Sequence, residues 1–361
     1  MKKILHINSC IYHGGGIIKK IVNLIQNDKE NEHVIFFIWY ADYDNKRAEL
    51  MKYLNNLKIK YEYVYHKSIW ANIPDFYKFL KGHNYDLLHY YTDNVMVLGK
   101  IVQIFGIKTP VVRSFEGAPL YTKFPKKQLI NWALTSCKNF ISISKFVEES
   151  YSKVYSSLNE VRKRVVYNAP IGNLERKIAI SERDGIVCVG RLDRQKQYHI
   201  AINIIAILKD KYNRKIHLYI LGGGKDKDKL SQIASDLNVS DLVNFVGVVD
   251  NPSPYYDKAK LFLHPAYNEG FGLVIVEAMS MELGVLVANS GALPEIVENG
   301  KTGYILPLEN AEVWASKIND IYDNNELLET LGKAAHQAVE LRFSNAMHIK
   351  GYNDFYTKAL S

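Results

Sequence analysis

The chain has 361 residues, 47% of them hydrophobic and 23% charged, with 22 Gly, 10 Pro and three widely spaced cysteines. That composition excludes the disordered, collagen-like and disulfide-framed classes, and the length suits two domains better than one. The net charge of +8 is unevenly placed: residues 1–170 carry 25 Lys/Arg against 14 Asp/Glu, and residues 171–361 carry 21 against 24. A basic first half points to an anionic partner for that half alone, whether a nucleic acid, a membrane surface or a phosphorylated substrate.

In chain order, a predicted strand at 3–8 runs into Gly14-Gly15-Gly16, which opens a helical run over 17–26. Met1-Lys2-Lys3 looks like the start of a signal peptide, but His6, Asn8, Ser9 and His13 interrupt the apolar run, so the segment reads as the first strand of a cytoplasmic protein. Further strands are predicted at 33–40, 86–90, 110–114, 139–142 and 164–167, with helical patterns between them. Periodicity lapses and charges cluster over 168–184, the predicted interdomain linker. A second series follows, with strands at 185–190, 216–221, 243–246, 259–264 and 285–288, and a helical tail from about residue 309. Such alternation predicts an α/β chain of two doubly wound domains, divided at about 168, with ligands held beyond the carboxyl ends of the strands in a cleft between them. Cys10, Cys137 and Cys188 read as reduced core residues, and no run reaches 18 apolar residues.

Three glycine-marked segments carry the candidate chemistry. Gly14-Gly15-Gly16 lies between a strand and a helix, where backbone N–H groups approach an anion, but Lys19 breaks the dinucleotide fingerprint and excludes a nicotinamide-dependent oxidoreductase. After the strand ending at Gly190 come Arg191 and Lys196, two cations suited to a diphosphate. The third segment, 264–278, places Glu269 before and Glu277 inside a helix that begins near Phe271-Gly272. Backbone N–H groups at Phe271, Gly272 and Leu273 meet a phosphate there. Glu277 can accept from a ribose diol, and Glu269, beside Asn268, from the hydroxyls of a sugar beyond the phosphate.

These residues resemble the retaining GT-B glycosyltransferases of family 4. Arg191, Lys196 and Glu269-x7-Glu277 around Gly-Phe-Gly carry the likeness, together with Gly291-Ala-Leu-Pro-Glu295 and Asn299-Gly-Lys-Thr-Gly303. The resemblance runs over nearly the whole chain and is strongest over 185–306. It implies two Rossmann-like domains and a nucleotide-diphosphate sugar donor, UDP-linked, held mainly by the second. It also implies no required metal, and a last helix, about 345–361, that returns to the first domain. It implies further that Gly15 and Gly16 lie near the phosphates and that Val246 and Gly247 bracket the base. Glu116 stands where the family often has His in the acceptor-side loop, and Ala169 follows Asn168 where Gly is usual.

The expected activity is therefore sugar transfer, with retention, to a hydroxyl of a glycan or lipid-linked acceptor in bacterial surface polysaccharide or glycoconjugate synthesis. The alternative is a GT-B-like partner subunit without turnover, motivated by Glu116. Asp226 and Asp228 match a D-x-D metal pattern but read as acidic residues favoured at a helix start, so no metal site is expected. His89, after a strand, is expected to face the cleft and the substrate, the alternative being a histidine satisfied inside the core. No nucleic-acid module is recognisable. The aromatic and lysine-rich stretch 121–127 and the basic first half predict peripheral contact with an anionic membrane on its inner face, with Lys123, Lys126 and Lys127 among the contacts.

Overall fold

Near-continuous apolar runs such as Ile-Leu-His-Ile and Val-Ile-Phe-Phe-Ile-Trp suit strands covered on both faces, and they form the centre of a parallel sheet. The computed structural model describes residues 1–9, 16–39, 44–120, 122–159, 161–172 and 174–361. They fall into two units, Met1–Asn168 with Asn345–Ser361, and Ala169–Ser344.

The first unit opens with β1 (Lys2–Asn8), α1 (Gly16–Asn27), β2 (Asn31–Trp39) and α2 (Asp44–Asn56). It continues through β3 (Tyr61–Tyr65), α3 (Ile73–Gly82), β4 (Leu87–Tyr90) and α4 (Asp93–Ile104). Then come β5 (Val111–Phe115), α5 (Lys126–Leu134), β6 (Asn139–Ser142), α6 (Lys145–Val154) and β7 (Arg162–Val165). The seven strands are parallel in the order β3-β2-β1-β4-β5-β6-β7, which reverses direction between β1 and β4.

The second unit runs β8 (Ile186–Val189), α7 (Tyr198–Tyr212), β9 (Leu218–Leu221), α8 (Lys227–Asp236), β10 (Val243–Gly247) and α9 (Ser253–Lys258). It continues with β11 (Leu261–His264), α10 (Leu273–Ser280), β12 (Gly284–Ala288), α11 (Leu293–Ile296) and β13 (Gly303–Leu306). Helices α12 (Ala311–Ile321) and α13 (Asn325–Arg342) close it. Its parallel order, β10-β9-β8-β11-β12-β13, repeats the doubly wound pattern, with the reversal between β8 and β11.

The last helix, α14 (Asn345–Leu360), belongs to the first unit. Tyr352, Phe355 and Tyr356 join Ile4, Leu87, Val112, Ile141 and Val166 in one core cluster. A Cβ on Gly351 would stand 2.9 Å from Val166, so only glycine permits this approach. The expected linker is corrected. Residues 169–184 belong to the second unit, and their charges bind it instead of solvating a tether. Arg183 is 2% exposed and donates to the carbonyls of Ile178 and Met281, while Arg176 pairs with Glu282 and Glu329. Strands β3 and β13, absent from the sequence reading, are sheet edges whose half-exposed residues leave a weak hydrophobic pattern. Among the described residues no helix is long and apolar enough to cross a membrane.

Candidate active site

In the second unit the candidate residues follow the carboxyl ends of neighbouring strands. Beyond β8, Gly190 takes φ +153°, where a Cβ would stand 2.7 Å from the Tyr198 hydroxyl. Beyond β9, Gly222 and Gly224 let the backbone pass against Gly190 and Leu192; a Cβ on Gly222 would lie 2.0 Å from the Gly190 oxygen. Leu192 N–H donates to Gly223 O at 2.9 Å, and Gly222 N–H to Gly247 O at 2.7 Å. Thus Val246 and Gly247, closing β10, adjoin the loop that carries Arg191 and Lys196. Arg191 is exposed and reaches Asp193 at 3.2 Å. Asp193 in turn caps the short 3-10 turn Arg194–Lys196 by accepting from Gln195 N–H.

Beyond β11 the chain turns through Asn268 at φ +55°, and Gly291 lets the loop after β12 close over it. A Cβ on Gly291 would sit 2.4 Å from the Glu269 oxygen. Tyr267 N–H donates to Gln195 O, Asn268 N–H to Ser290 Oγ, and Ala292 N–H to Glu269 O, so three loops hold one another. Their meeting point is Glu269. It pairs with Lys196 and accepts from His264 Nε2 at 3.1 Å. Burial alone would raise the Glu269 carboxyl, but the Lys196 charge and the His264 hydrogen bond outweigh it and hold the group well below the usual carboxylate range. Burial, first of all, lowers the His264 imidazole despite that bond, so a neutral ring donates to an ionised carboxylate.

Helix α10 begins after Gly272 at φ +93°, with no side-chain hydrogen bond capping its first turn. The Phe271 side chain is buried, edge-on to Phe343. Glu277, on the second turn of α10, accepts from the Tyr256 hydroxyl at 3.2 Å. Lys196, Glu269, Asn268 and Arg191 are thus brought onto adjoining loops, and Glu277 stands on the helix that follows them. His264, Tyr256 and Gly291 are additions to the sequence reading. Only Gly291 had a local signal, as part of a matched motif.

Asp226 precedes α8 and Asp228 lies in its first turn. Among the described residues no group of three or more His, Cys, Asp or Glu could hold a metal ion.

In the first unit Gly14 and Gly15, like Cys10 and Tyr121, lie outside the described residues. Gly16 is the exposed first residue of α1. Glu116, one residue beyond β5, pairs with Lys20 of α1, with both side chains at most 10% exposed. Lys20 also lies over the Tyr91 and Tyr352 rings at 5.4 and 5.8 Å. Burial tends to lower its ammonium, but Glu116 and Tyr352 prevail and raise it.

The expectation for His89 is corrected. It is fully buried, with Nδ1 2.8 Å from the Tyr356 hydroxyl and Nε2 2.7 Å from Ser114 Oγ. It belongs to a chain of hydrogen bonds through Tyr91, His6 and His33 to Asp28. Both ring nitrogens are engaged, which leaves none for a substrate.

Residues 172–338 match the family described as glycosyl transferases group 1. The match lies within the second unit. The whole chain has the GT-B fold of two Rossmann-like domains. It is similar to Anabaena HepE, solved in complex with UDP and glucose, at a TM-score of 0.84 and 18% identity over 99% of this chain and 100% of that one. Among curated relatives, the capsular polysaccharide biosynthesis glycosyltransferase CapM of Staphylococcus aureus is 30% identical over 161 residues, covering 44% of this chain and 41% of CapM. An uncharacterized glycosyltransferase of Haemophilus influenzae is 25% identical over 196 residues, 54% of each protein. The chain spans about half the length of the curated relatives it matches.

Proposed function

We propose that this protein is a retaining glycosyltransferase of family 4 that moves a sugar, a hexose, from a UDP-linked donor to a hydroxyl of a glycan or lipid-linked acceptor in bacterial surface glycan synthesis. The observation that carries the reading is the Lys196–Glu269–His264 cluster beside Arg191, assembled by three interlocked loops at the carboxyl end of a parallel sheet. In this reading Glu277 holds the ribose diol, and Val246 and Gly247 flank the base. Glu269 and Asn268 accept from and donate to the sugar hydroxyls. Lys196 has three N–H donors, so it can keep Glu269 and still reach a phosphate oxygen. With Arg191 and the start of α10 it stabilises the charge that grows on the leaving diphosphate. The bond between the anomeric carbon and the diphosphate oxygen breaks while the acceptor oxygen bonds to that carbon on the same face. The acceptor proton passes to the departing diphosphate oxygen. Arg191 and Lys196 supply the positive charge, so the reaction needs no metal.

A second reading is a nucleotide-binding GT-B subunit without turnover. The Lys20–Glu116 pair favours it, because a buried ion pair stands where the resemblance places an acceptor-side histidine. Incubation with a panel of nucleotide sugars and polyprenyl-phosphate-linked acceptors, with and without EDTA, separates the readings. Transfer that survives EDTA, with the anomeric configuration kept in the product, supports the first. Nucleotide binding with neither transfer nor hydrolysis supports the second. Strict dependence on magnesium or manganese would contradict the charge roles of Arg191 and Lys196.

A further inference from the structure

The first unit carries apolar side chains that its own core leaves uncovered. Helix α5 turns Ile130, Ala133 and Leu134 inward, yet Leu129 and Trp132, three residues apart on another face, remain 38% and 39% exposed. The approach to the helix adds Leu120 and Phe124, at 81% and 79%. Four large apolar side chains are thus exposed within thirteen residues, a denser cluster in the chain than the single exposed residues that any surface shows.

The charge around this cluster is of one sign. Between Glu116 and Glu148 the sequence contains five lysines and no Asp or Glu. Lys123 and Lys126 alternate with the exposed apolar residues, and Lys100 of the neighbouring α4 lies over the Trp132 ring at 5.8 Å. An acidic protein partner would satisfy the lysines but would leave four apolar side chains without a reason to protrude. A bilayer of anionic lipid satisfies both: apolar side chains enter the headgroup boundary, Trp132 sits at its polar edge, and lysine ammonium groups stay level with the phosphates.

We propose that the surface carrying Leu120, Phe124, Leu129 and Trp132 docks the protein peripherally on an anionic lipid bilayer, with Phe124 inserted, Trp132 at the polar edge, and Lys123 and Lys126 on the headgroups. The proposal is independent of the transferase reading, because lipid binding is measured without a donor or an acceptor.

The test is flotation of the full chain with vesicles of phosphatidylglycerol and phosphatidylcholine, against phosphatidylcholine alone, at about 50 and about 500 mM salt. Binding is expected only on the anionic vesicles and should weaken at the higher salt. Phe124→Ser with Trp132→Ser should weaken binding about tenfold or more. Lys123→Gln and Lys126→Gln should each weaken it about fivefold. Lys227→Gln with Lys229→Gln, exposed on α8, should change nothing. Thermal unfolding checks that each variant is folded, and the lysine variants keep the test alive if the apolar pair is not. Absent binding, equal binding on both vesicle types, or unchanged binding by the folded 124/132 and lysine variants would overturn the proposal. So would a dimer that Phe124→Ser with Trp132→Ser converts to monomer without any effect on lipid.

Discussion

In the second unit, Arg191, Lys196 and Glu269 stand on loops beyond β8 and β11, whereas in the first unit His6, His33, His89 and Tyr91 hydrogen-bond to one another inside the fold. The strand order is the same, so topology alone does not decide where ionisable groups gather. In the second unit glycines at 190, 222, 224 and 291 let backbones close together and hold charged side chains over the sheet edge. In the first unit the polar groups replace apolar core, and each is satisfied by the next. The former arrangement leaves charge at the loops beyond the strands; the latter satisfies polar groups within the fold. The Lys20–Glu116 pair just beyond β5 and the Arg113–Asp93 pair at β5 and beyond β4 bring charged groups to strand ends in the first unit.

The comparison breaks first at Lys196. Lys196→Met removes a cation and leaves Glu269 with His264 alone, so turnover should fall about a hundredfold or more. Initial rates of nucleotide release measure this, and a loss smaller than about tenfold would move the chemistry off this loop. His89→Ala should act in the opposite way. It strands the Ser114 and Tyr356 hydroxyls in the core, at about 1–3 kcal/mol for each unsatisfied group, while nucleotide affinity stays unchanged. Urea unfolding together with UDP titration checks both halves. A lost affinity at undiminished stability would return His89 to a ligand site.

Acid sharpens the contrast with a smaller effect. Burial lowers His6 and His89 well below the usual imidazole value and His348 to about 4, all in the first unit. Their folded values lie below the unfolded value of about 6.5, so each favours folding fully above that pH and loses its contribution as pH falls toward the folded value. Among the described residues, the second unit has one fully buried counterpart, His264. Its Glu269 is also depressed, but from an ordinary value near 4.3, so that contribution persists until about pH 5. Between about pH 6.5 and pH 5 the first unit should therefore lose stability faster. Hydrogen-exchange labelling at a fixed pH, after equilibration at each test pH, should show β1 and β4 losing protection before β11 and β12. The reverse order would contradict the assignment.

The sequence showed the parallel alternation well, because strands covered on both faces leave apolar runs such as Val34–Trp39 and Val285–Ala288. It also marked the Arg191–Lys196 and Glu269–Glu277 segments, since loops that hold charge over a sheet edge need glycine and therefore leave a local pattern. It could not show pairs formed only by folding. Lys20 and Glu116 are separated by 96 positions, and Tyr256 and Glu277 by 21. His89 was misplaced because strand alternation does not distinguish a histidine satisfied inside the core from one facing a ligand. The charges at 176 and 183 suggested a solvated linker because their partners, Glu329 and Met281, lie far along the chain.

The central claim is that the loops beyond β8 and β11, with α10, form a nucleotide-diphosphate site. Calorimetric titration of the full chain with UDP in EDTA tests it most directly, with Arg191→Ala, Glu277→Ala and His89→Ala run beside the unaltered protein. Saturable binding is expected, which Arg191→Ala and Glu277→Ala each weaken about ten- to a hundredfold through the loss of a charge-assisted contact worth about 1.5–3 kcal/mol. His89→Ala should bind as the unaltered protein does. No binding of UDP, or equal affinity in all four proteins, would contradict it.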